Sequence, residues 1–155
     1  MELKVLMVCL GNICRSPLAE GIFTEKAGHS SIQFQVDSAG TGNWHSGEPP
    51  DSRSIAIAKK HGIDISLQHA RQIKPIDLTT FDLIFTMDKS VLNDVLDLAG
   101  SEEEKKKVFL LLEYANLSAS SEVPDPYWGK EAEFESTFQL LESACSAILA
   151  RLTKT

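Results

Sequence analysis

The sequence is poor in cysteine. Its 155 residues include three, Cys9, Cys14 and Cys145, and an odd count at this low density does not indicate the disulfide framework of a secreted protein. Cys9 and Cys14 could form half of a zinc site, but no second pair of Cys or His residues follows at ligand spacing. We therefore expect a reducing, cytoplasmic setting, with no metal and no cofactor.

Long hydrophobic runs and an excess of positive charge are also absent. The first apolar run, residues 5–10, is far shorter than a membrane span, and no small-residue cleavage site follows it. Fifteen basic against 22 acidic residues give a net charge of -7, which argues against a general nucleic-acid binder. We expect neither a membrane nor a nucleic-acid partner, and one domain over residues 1–155.

In the first half of the chain, strand and helix patterns alternate. Residues 4–9 predict a strand buried on both faces, and Ser16-Pro17 predicts the start of a helix ending near Gly28, with Ser16 as its cap. Residues 32–36 alternate between apolar and polar and predict an edge strand. A long loop over residues 38–50 should then lead to a helix from near Asp51 to Gly62.

The second half continues the alternation. Residues 81–87 and 108–112 predict a third and a fourth strand, and Asp88 should cap a helix between them that ends at Gly100. Residues 102–107 form a solvated charge run, residues 118–128 a loop, and an apolar stripe that includes Cys145 marks a last helix. The pattern predicts a single-domain, three-layer α/β fold, with a central four-stranded parallel sheet, helices on both faces and a phosphate-binding loop after the first strand.

The loop after the first strand carries the chemistry. Ligands of open parallel sheets gather at the carboxyl ends of strands, and a loop entering a helix directs backbone N–H groups and the positive end of the helix dipole towards an oxyanion. We expect Gly11 and Asn12 to adopt the positive φ angles of this curl. The same dipoles and the charge of Arg15 favour the thiolate of Cys9, and the planar guanidinium of Arg15 matches two phosphate oxygens.

Residues 8–17, VCLGNICRSP, resemble the active-site signature of low molecular weight protein tyrosine phosphatases residue for residue. The resemblance continues in DSAGT at 37–41, ARQ at 70–72, MD at 87–88 and DPY at 125–127. It implies a phosphatase with Cys9 as the attacking thiolate, Arg15 as the phosphate clamp and Asp125 as general acid and then base. It also implies that Ser16 donates to the thiolate, that Asn12 holds the loop, and that Cys14 can pair with Cys9 in a reversible disulfide.

The expected partners are proteins containing phosphotyrosine, together with phosphate or other oxyanions held in the loop. A slot with aromatic walls would admit an aryl phosphate and leave phosphoserine too far from Cys9. The predicted substrate-binding residues are Leu10, Gly11, Asn12, Ile13, Cys14, Ser16, Trp44, Tyr127 and Trp128.

Plainer interpretations stay open for several of these residues. Asp125 lies between prolines and could be only a turn former, and the three aromatic residues could pack on the surface. We expect Cys145 to be a small buried residue, Asp88 to cap a helix with a structural hydrogen bond near the site, and the four histidines to be surface or structural residues.

Two other functions compete with the phosphatase. The nearest is an arsenate reductase on the same fold, which would relay a disulfide through further cysteines or a small thiol such as glutathione. The second is a silent oxyanion-binding module, which would have no use for an acid such as Asp125.

Overall fold

The computed structural model describes residues 2–117 and 120–154. The strands are β1 (Glu2–Cys9), β2 (Gln33–Gly40), β3 (Leu83–Thr86) and β4 (Val108–Leu110). The helices are α1 (Arg15–Ala27), α2 (Ser52–Lys60), α3 (Asp77–Thr80), α4 (Lys89–Leu98), α5 (Glu102–Lys105), α6 (Leu111–Tyr114) and α7 (Glu131–Thr153), and a short 3₁₀ turn covers Pro126–Trp128.

The strands form one parallel sheet in the order β2-β1-β3-β4. Val5 of β1 pairs with Val36 on one side and Leu83 on the other, so β1 is central and β2 is the edge strand that its alternating pattern predicts. A strand enclosed by neighbours and covered on both faces needs apolar side chains pointing both ways, and residues 5–8 are completely buried. The predicted four-stranded parallel sheet is confirmed.

Alternate residues of β1 supply two separate apolar cores. Met7 packs on one face of the sheet in a cluster with residues of α1, α2 and α7, whereas Leu6 packs on the other face with residues of α3 and α4. Helices therefore cover both faces, which confirms the three-layer α/β architecture. Cys145 is fully buried on α7, as its place on the apolar stripe predicts.

Several predicted boundaries were wrong. Ser16 does not cap α1, because α1 begins at Arg15 with Cys14 in the cap position, and Ser16 is buried inside the helix. Residues 38–40 belong to β2 and not to the following loop. The fourth strand ends at Leu110, where the chain turns into α6. The prediction extended the strand to residue 112 because an apolar run of five residues does not distinguish a strand from a buried helix.

Other boundaries agree with the prediction. Asp51 and Asp88 cap α2 and α4, their carboxylates accepting hydrogen bonds from the backbone N–H groups of Arg53 and Val91. The short helix α3 was not predicted, and the charge run at residues 102–107 contains the exposed helix α5. The first two residues of the predicted loop 118–128 lie outside the described residues. Among the described helices, none has the length and apolarity needed to cross a membrane.

Gly40, the last residue of β2, lies against the loop that follows β1. A Cβ atom at this position would lie 2.8 Å from the carbonyl oxygen of Leu10 and 3.1 Å from the backbone nitrogen of Asn12. Backbone atoms cannot move aside as a flexible side chain does, so we expect Gly40→Ala to lower the free energy of unfolding by about 1–3 kcal/mol. Urea denaturation measures this change.

Gly28→Ala is the matched control. Gly28 has a φ of -59°, and its nearest neighbour would be the carbonyl oxygen of Glu25 at 3.4 Å, an ordinary contact. We expect this substitution to change stability by less than about 0.5 kcal/mol. Equal destabilisation by the two substitutions would contradict the close packing of Gly40 on the loop.

Candidate active site

The site lies at the carboxyl end of β1. This strand ends at Cys9, residues 10–14 form a loop, and α1 begins at Arg15. The flanking strands bring two further segments to the same edge, because Gly40 ends β2 beside Cys9 and Met87-Asp88 follows β3. A helix N-terminus at this position presents backbone N–H groups and a partial positive charge to an anion.

Asn12 holds the loop in shape. Its φ of 57° is left-handed, as predicted, and its buried side chain donates to Ser16 Oγ at 2.8 Å and to Ser38 Oγ at 3.0 Å. Its amide oxygen accepts from the backbone N–H of Arg71 at 3.0 Å. Every polar atom of this side chain is thus used in fixing the curl between β1 and α1.

Gly11 does not have the positive φ that we expected, since the left-handed glycines are Gly47 and Gly62 among the described residues. Its small size matters in another way. A Cβ atom on Gly11 would lie 3.3 Å from Cδ2 of His45, so the glycine lets the imidazole approach the loop.

The thiol of Cys9 is surrounded by hydrogen-bond donors. The backbone N–H of Asn12 donates to Cys9 Sγ at 3.3 Å, and Ser16 Oγ lies 3.0 Å from the same sulfur atom. The sulfur is buried at the carboxyl end of β1, within hydrogen-bond distance of both groups.

Arg15 is buried and fixed by two partners. Its Nη1 donates to Asp88 Oδ2 at 2.7 Å and to the carbonyl oxygen of Val123 at 3.0 Å. Burial acts to lower the pKa of Arg15, but the negative charges of Cys9, Asp88 and Asp125 together raise it, so the guanidinium stays charged. Asp88 therefore has both expected roles, as the cap of α4 and as a structural hydrogen-bond partner in the site.

Asp125 lies across the cleft from Arg15. One carboxylate oxygen lies 3.8 Å from Arg15 Nη2, and the other accepts from the backbone N–H of Tyr127 at 3.1 Å. The second contact caps the 3₁₀ turn Pro126–Trp128. Asp125 is thus a turn former and also faces the loop, so the two interpretations of its sequence context are compatible.

These elements enclose a cleft of about 260 Å³. Its lining residues are Cys9, Leu10, Gly11, Ile13, Cys14, Arg15, Trp44, His45, Asp125, Tyr127 and Trp128. Trp44 and Trp128 are at its mouth, where they remain 67% and 90% exposed, whereas Tyr127 is partly buried in its wall. Of the predicted site residues, Asn12 and Ser16 do not line the cleft, and their side chains are buried and hydrogen-bonded to each other.

His45 lines the cleft although we treated all histidines as surface or structural residues. Its Nδ1 lies 3.2 Å from Glu48 Oε2, and its ring edge approaches Gly11. The one available sequence signal was its position next to Trp44, in the loop expected to face the site.

The second thiol of the loop has a different environment. Burial, assisted by the negative charges of Asp51, Cys9 and Asp125, raises the pKa of Cys14 to about 12. Cys14 is therefore a neutral thiol at physiological pH, and an uncharged thiol is a poor nucleophile.

The family model for low molecular weight phosphotyrosine protein phosphatases matches residues 4–155. The low molecular weight protein-tyrosine-phosphatase YfkJ of Bacillus subtilis is 38% identical over 154 residues, which cover 98% of this chain and 97% of that protein. The chain belongs to the low molecular weight phosphotyrosine protein phosphatase family. It is a protein-tyrosine-phosphatase, a hydrolase of phosphotyrosine.

Solved structures agree with this identification. The crystal structure of a protein tyrosine phosphatase from Entamoeba histolytica, with Hepes in its active site, superposes with a TM-score of 0.91 at 36% identity, covering 97% of this chain and 96% of that one. Vibrio vulnificus Wzb in complex with benzylphosphonate superposes with a TM-score of 0.85 at 27% identity, covering 96% and 98%.

The arsenate reductase alternative is not favoured by these findings. The version of such an enzyme that relays a disulfide through further cysteines needs an accessible one away from the site. In this phosphatase Cys145 is completely buried on α7, and burial raises the pKa of its thiol to about 12.

A carboxyl group that was not predicted lies behind the loop of the phosphatase. Glu20 on α1 accepts a hydrogen bond from Ser38 Oγ at 2.7 Å, and Ser38 is in turn bonded to Asn12. Burial raises the pKa of Glu20 to about 7; Asp37 adds to the effect, and Ser38 and Arg71 oppose it. Glu20 therefore changes charge near neutral pH while connected to the residue that shapes the loop.

This raised pKa predicts a pH-dependent stability. Between an ordinary value of 4.5 and about 7 the folded state binds a proton that the unfolded state has released, so the stabilisation present at low pH is lost as pH rises through this window. We expect Glu20→Gln to remove that loss. Relative to the variant, the wild type should lose roughly 1–3 kcal/mol of unfolding free energy between about pH 4.5 and 7.5, measured by urea denaturation.

Glu25→Gln supplies the control, since Glu25 lies on the same helix and is exposed to solvent. Its stability curve should run parallel to that of the wild type. If the Glu20→Gln curve were also parallel to the wild type, Glu20 would be ionised in the folded protein throughout this range.

Proposed function

We propose that this phosphatase hydrolyses phosphotyrosine in protein substrates through a cysteinyl-phosphate intermediate on Cys9, with Arg15 as the phosphate clamp and Asp125 as general acid and base. One observation carries the proposal. Cys9 Sγ lies under the N–H of Asn12 and the hydroxyl of Ser16, while Arg15 and Asp125 face each other at 3.8 Å across the same cleft.

In the first step, the thiolate of Cys9 attacks phosphorus and the bond from phosphorus to the tyrosyl oxygen breaks. The departing oxygen takes the proton of the Asp125 carboxyl group, which it needs because an aryloxide is a poor leaving group. Loop N–H groups and Arg15 hold the phosphoryl oxygens while charge spreads over them. Asp88 and the carbonyl oxygen of Val123 occupy Nη1 of Arg15, and its Nη2 lies 3.8 Å from Asp125 Oδ2.

In the second step, water attacks the phosphorus of the intermediate. The Asp125 carboxylate accepts a proton from this water, the bond from sulfur to phosphorus breaks, and Cys9 leaves as a thiolate. Ser16 and the N–H of Asn12 are within hydrogen-bond distance of the sulfur, so they stabilise the charge that returns to it. The proposed mechanism needs no metal ion and no cofactor.

The shape of the cleft supports phosphotyrosine as the substrate class. Cys9 is buried at the bottom of the cleft, the exposed Trp44 and Trp128 are at its mouth, and the partly buried Tyr127 also lines it. The ring of an aryl phosphate whose phosphorus reaches the sulfur of Cys9 would contact these aromatic side chains. The side chain of phosphoserine is shorter, so its phosphate would not reach the sulfur. The benzylphosphonate bound by the Vibrio vulnificus protein combines the same two groups, a phenyl ring and a tetrahedral phosphorus oxyanion.

We also propose that residues 1–155 form one phosphatase domain and that the protein acts in the cytoplasm. The family match over residues 4–155 supports the first point. The free thiols of Cys9, Cys14 and Cys145 support the second, because a catalytic thiol must stay reduced.

Hydrolysis of p-nitrophenyl phosphate and of a phosphotyrosine peptide in EDTA tests the proposal. We expect wild-type turnover to survive EDTA, Cys9→Ser to abolish turnover, and Asp125→Asn to reduce kcat/KM for the peptide by about 10²–10⁴-fold. A phosphoserine peptide of the same sequence should be hydrolysed far more slowly than the phosphotyrosine peptide.

Cys145→Ala is the thiol control and should retain activity, because Cys145 lies in the core and outside the cleft. Protection of Cys9→Ser against thermal unfolding by inorganic phosphate would show that the loop is intact. Turnover by the Cys9→Ser variant would refute the cysteinyl-phosphate mechanism, and unchanged kcat/KM in Asp125→Asn would refute the acid role.

A further inference from the structure

The segment that carries Asp125 is held at both ends by arginine side chains. On one side, Arg15 Nη1 donates to the carbonyl oxygen of Val123 at 3.0 Å. On the other side, Arg53 Nη1 donates to the carbonyl oxygen of Gly129 at 3.3 Å, immediately after the 3₁₀ turn Pro126–Trp128. Arg15 begins α1 directly after the phosphate-binding loop and is the proposed phosphate clamp, but the proposed mechanism gives Arg53 no role.

Arg53 is itself fixed relative to the phosphate-binding loop. Its Nε and Nη2 donate to the two carboxylate oxygens of Asp51 at 3.0 and 2.9 Å. The backbone N–H of Asp51 donates to the carbonyl oxygen of Ile13, inside the loop, at 2.8 Å. A continuous path of hydrogen bonds thus runs from Ile13 through Asp51 and Arg53 to Gly129, and it joins the loop to the turn that bears Asp125.

The guanidinium of Arg53 also packs on aromatic rings. Its central carbon lies 4.5 Å from the ring centre of Phe134 on α7 and 5.5 Å from that of Tyr127 within the turn. The backbone N–H of Tyr127 is the donor to the Asp125 carboxylate. Arg53 therefore contacts both the end of the turn and the residue whose N–H orients the carboxyl group.

We propose that Arg53 is a positioning residue, which holds the Asp125 turn at the correct height above the phosphate-binding loop so that the carboxyl group reaches the departing oxygen. This inference rests on the proposed role of Asp125 as general acid. Arg53 does not line the cleft, so it acts through the turn and not by touching substrate. A planar guanidinium suits the task because it can bind a carboxylate with two donors and a carbonyl oxygen with a third.

A leaving-group series separates this role from a general effect on structure. An alkyl-substituted phenyl phosphate, whose phenol resembles tyrosine, needs protonation of the departing oxygen, whereas a dinitrophenyl phosphate does not. We expect Arg53→Met to lower kcat/KM by about 10-fold for the first substrate and by less than about 3-fold for the second, since a small displacement of a catalytic group has a large cost. Methionine keeps a long apolar side chain against Phe134 and Tyr127 but removes the hydrogen bonds.

Lys60→Met is the matched control. Lys60 is also a cation of α2 and lines the same surface depression as Arg53 and Phe134, but it forms an ion pair with Glu135 of α7 at 3.5 Å. We expect this variant to have the wild-type dependence on the leaving group. Inhibition by inorganic phosphate should be unchanged in both variants, since the phosphate-binding loop is intact.

Asp125→Asn, measured on the same series, distinguishes the two proposals. A steep dependence on the leaving group in Asp125→Asn but not in Arg53→Met would overturn the positioning role and leave the acid role standing. No steep dependence in Asp125→Asn would remove the acid role, and with it the basis for Arg53. Equal losses of kcat/KM for both substrates in Arg53→Met would also overturn the inference. A double variant that combines Arg53→Met with Asp125→Asn and is no slower than Asp125→Asn alone would support it.

Discussion

The site depends on one constraint, the left-handed backbone of Asn12. A strand and a helix joined by residues 10–14 can surround an anion only if the chain curls sharply, and Asn12 turns it with a φ of 57°. Its buried amide then binds α1 through Ser16, β2 through Ser38 and the later loop through Arg71. This position needs a residue that tolerates the left-handed conformation and whose side chain can make three hydrogen bonds at once. Asparagine meets both requirements.

Around this curl, the sheet order decides which distant residues reach the site. Because β3 lies next to β1, the chain leaving β3 delivers Asp88 to the guanidinium of Arg15. The backbone N–H of Val123 donates to the carbonyl oxygen of Met87, and this bond brings the segment that carries Asp125 to the same edge. Arg15 consequently connects three parts of the chain: α1, the segment after β3 and the segment that carries Asp125.

The parts that follow from local patterns were predictable. An apolar run, a turn signal and a Ser-Pro pair locate β1, the loop and α1, and alternation identifies β2 as the edge strand. Contacts made across the fold have no such signature, which is why Glu20 was not predicted and why only its place next to Trp44 pointed to His45. The end of β4 at Leu110 could not be predicted either, because a buried strand and a short buried helix have the same apolar composition. The proposed catalytic role of Asp125 was suggested by the family resemblance alone, because a role as a turn former between two prolines already explains an aspartate at this position.

Two thiols five positions apart in one loop show why spacing alone does not define a nucleophile. Cys9 has the N–H of Asn12 and the hydroxyl of Ser16 directed at its sulfur, so a negative charge there has donors. Cys14 is buried near the carboxylates of Asp51 and Asp125, and its pKa is raised to about 12. The loop therefore directs hydrogen-bond donors at the sulfur of Cys9 and buries the thiol of Cys14 beside carboxylates. Asp51 adds to the effect of burial in raising the pKa of Cys14, and its bond to Arg53 joins the loop to the Asp125 turn. One carboxylate thus contributes both to the environment of Cys14 and to the hydrogen-bonded path between the loop and the proposed acid.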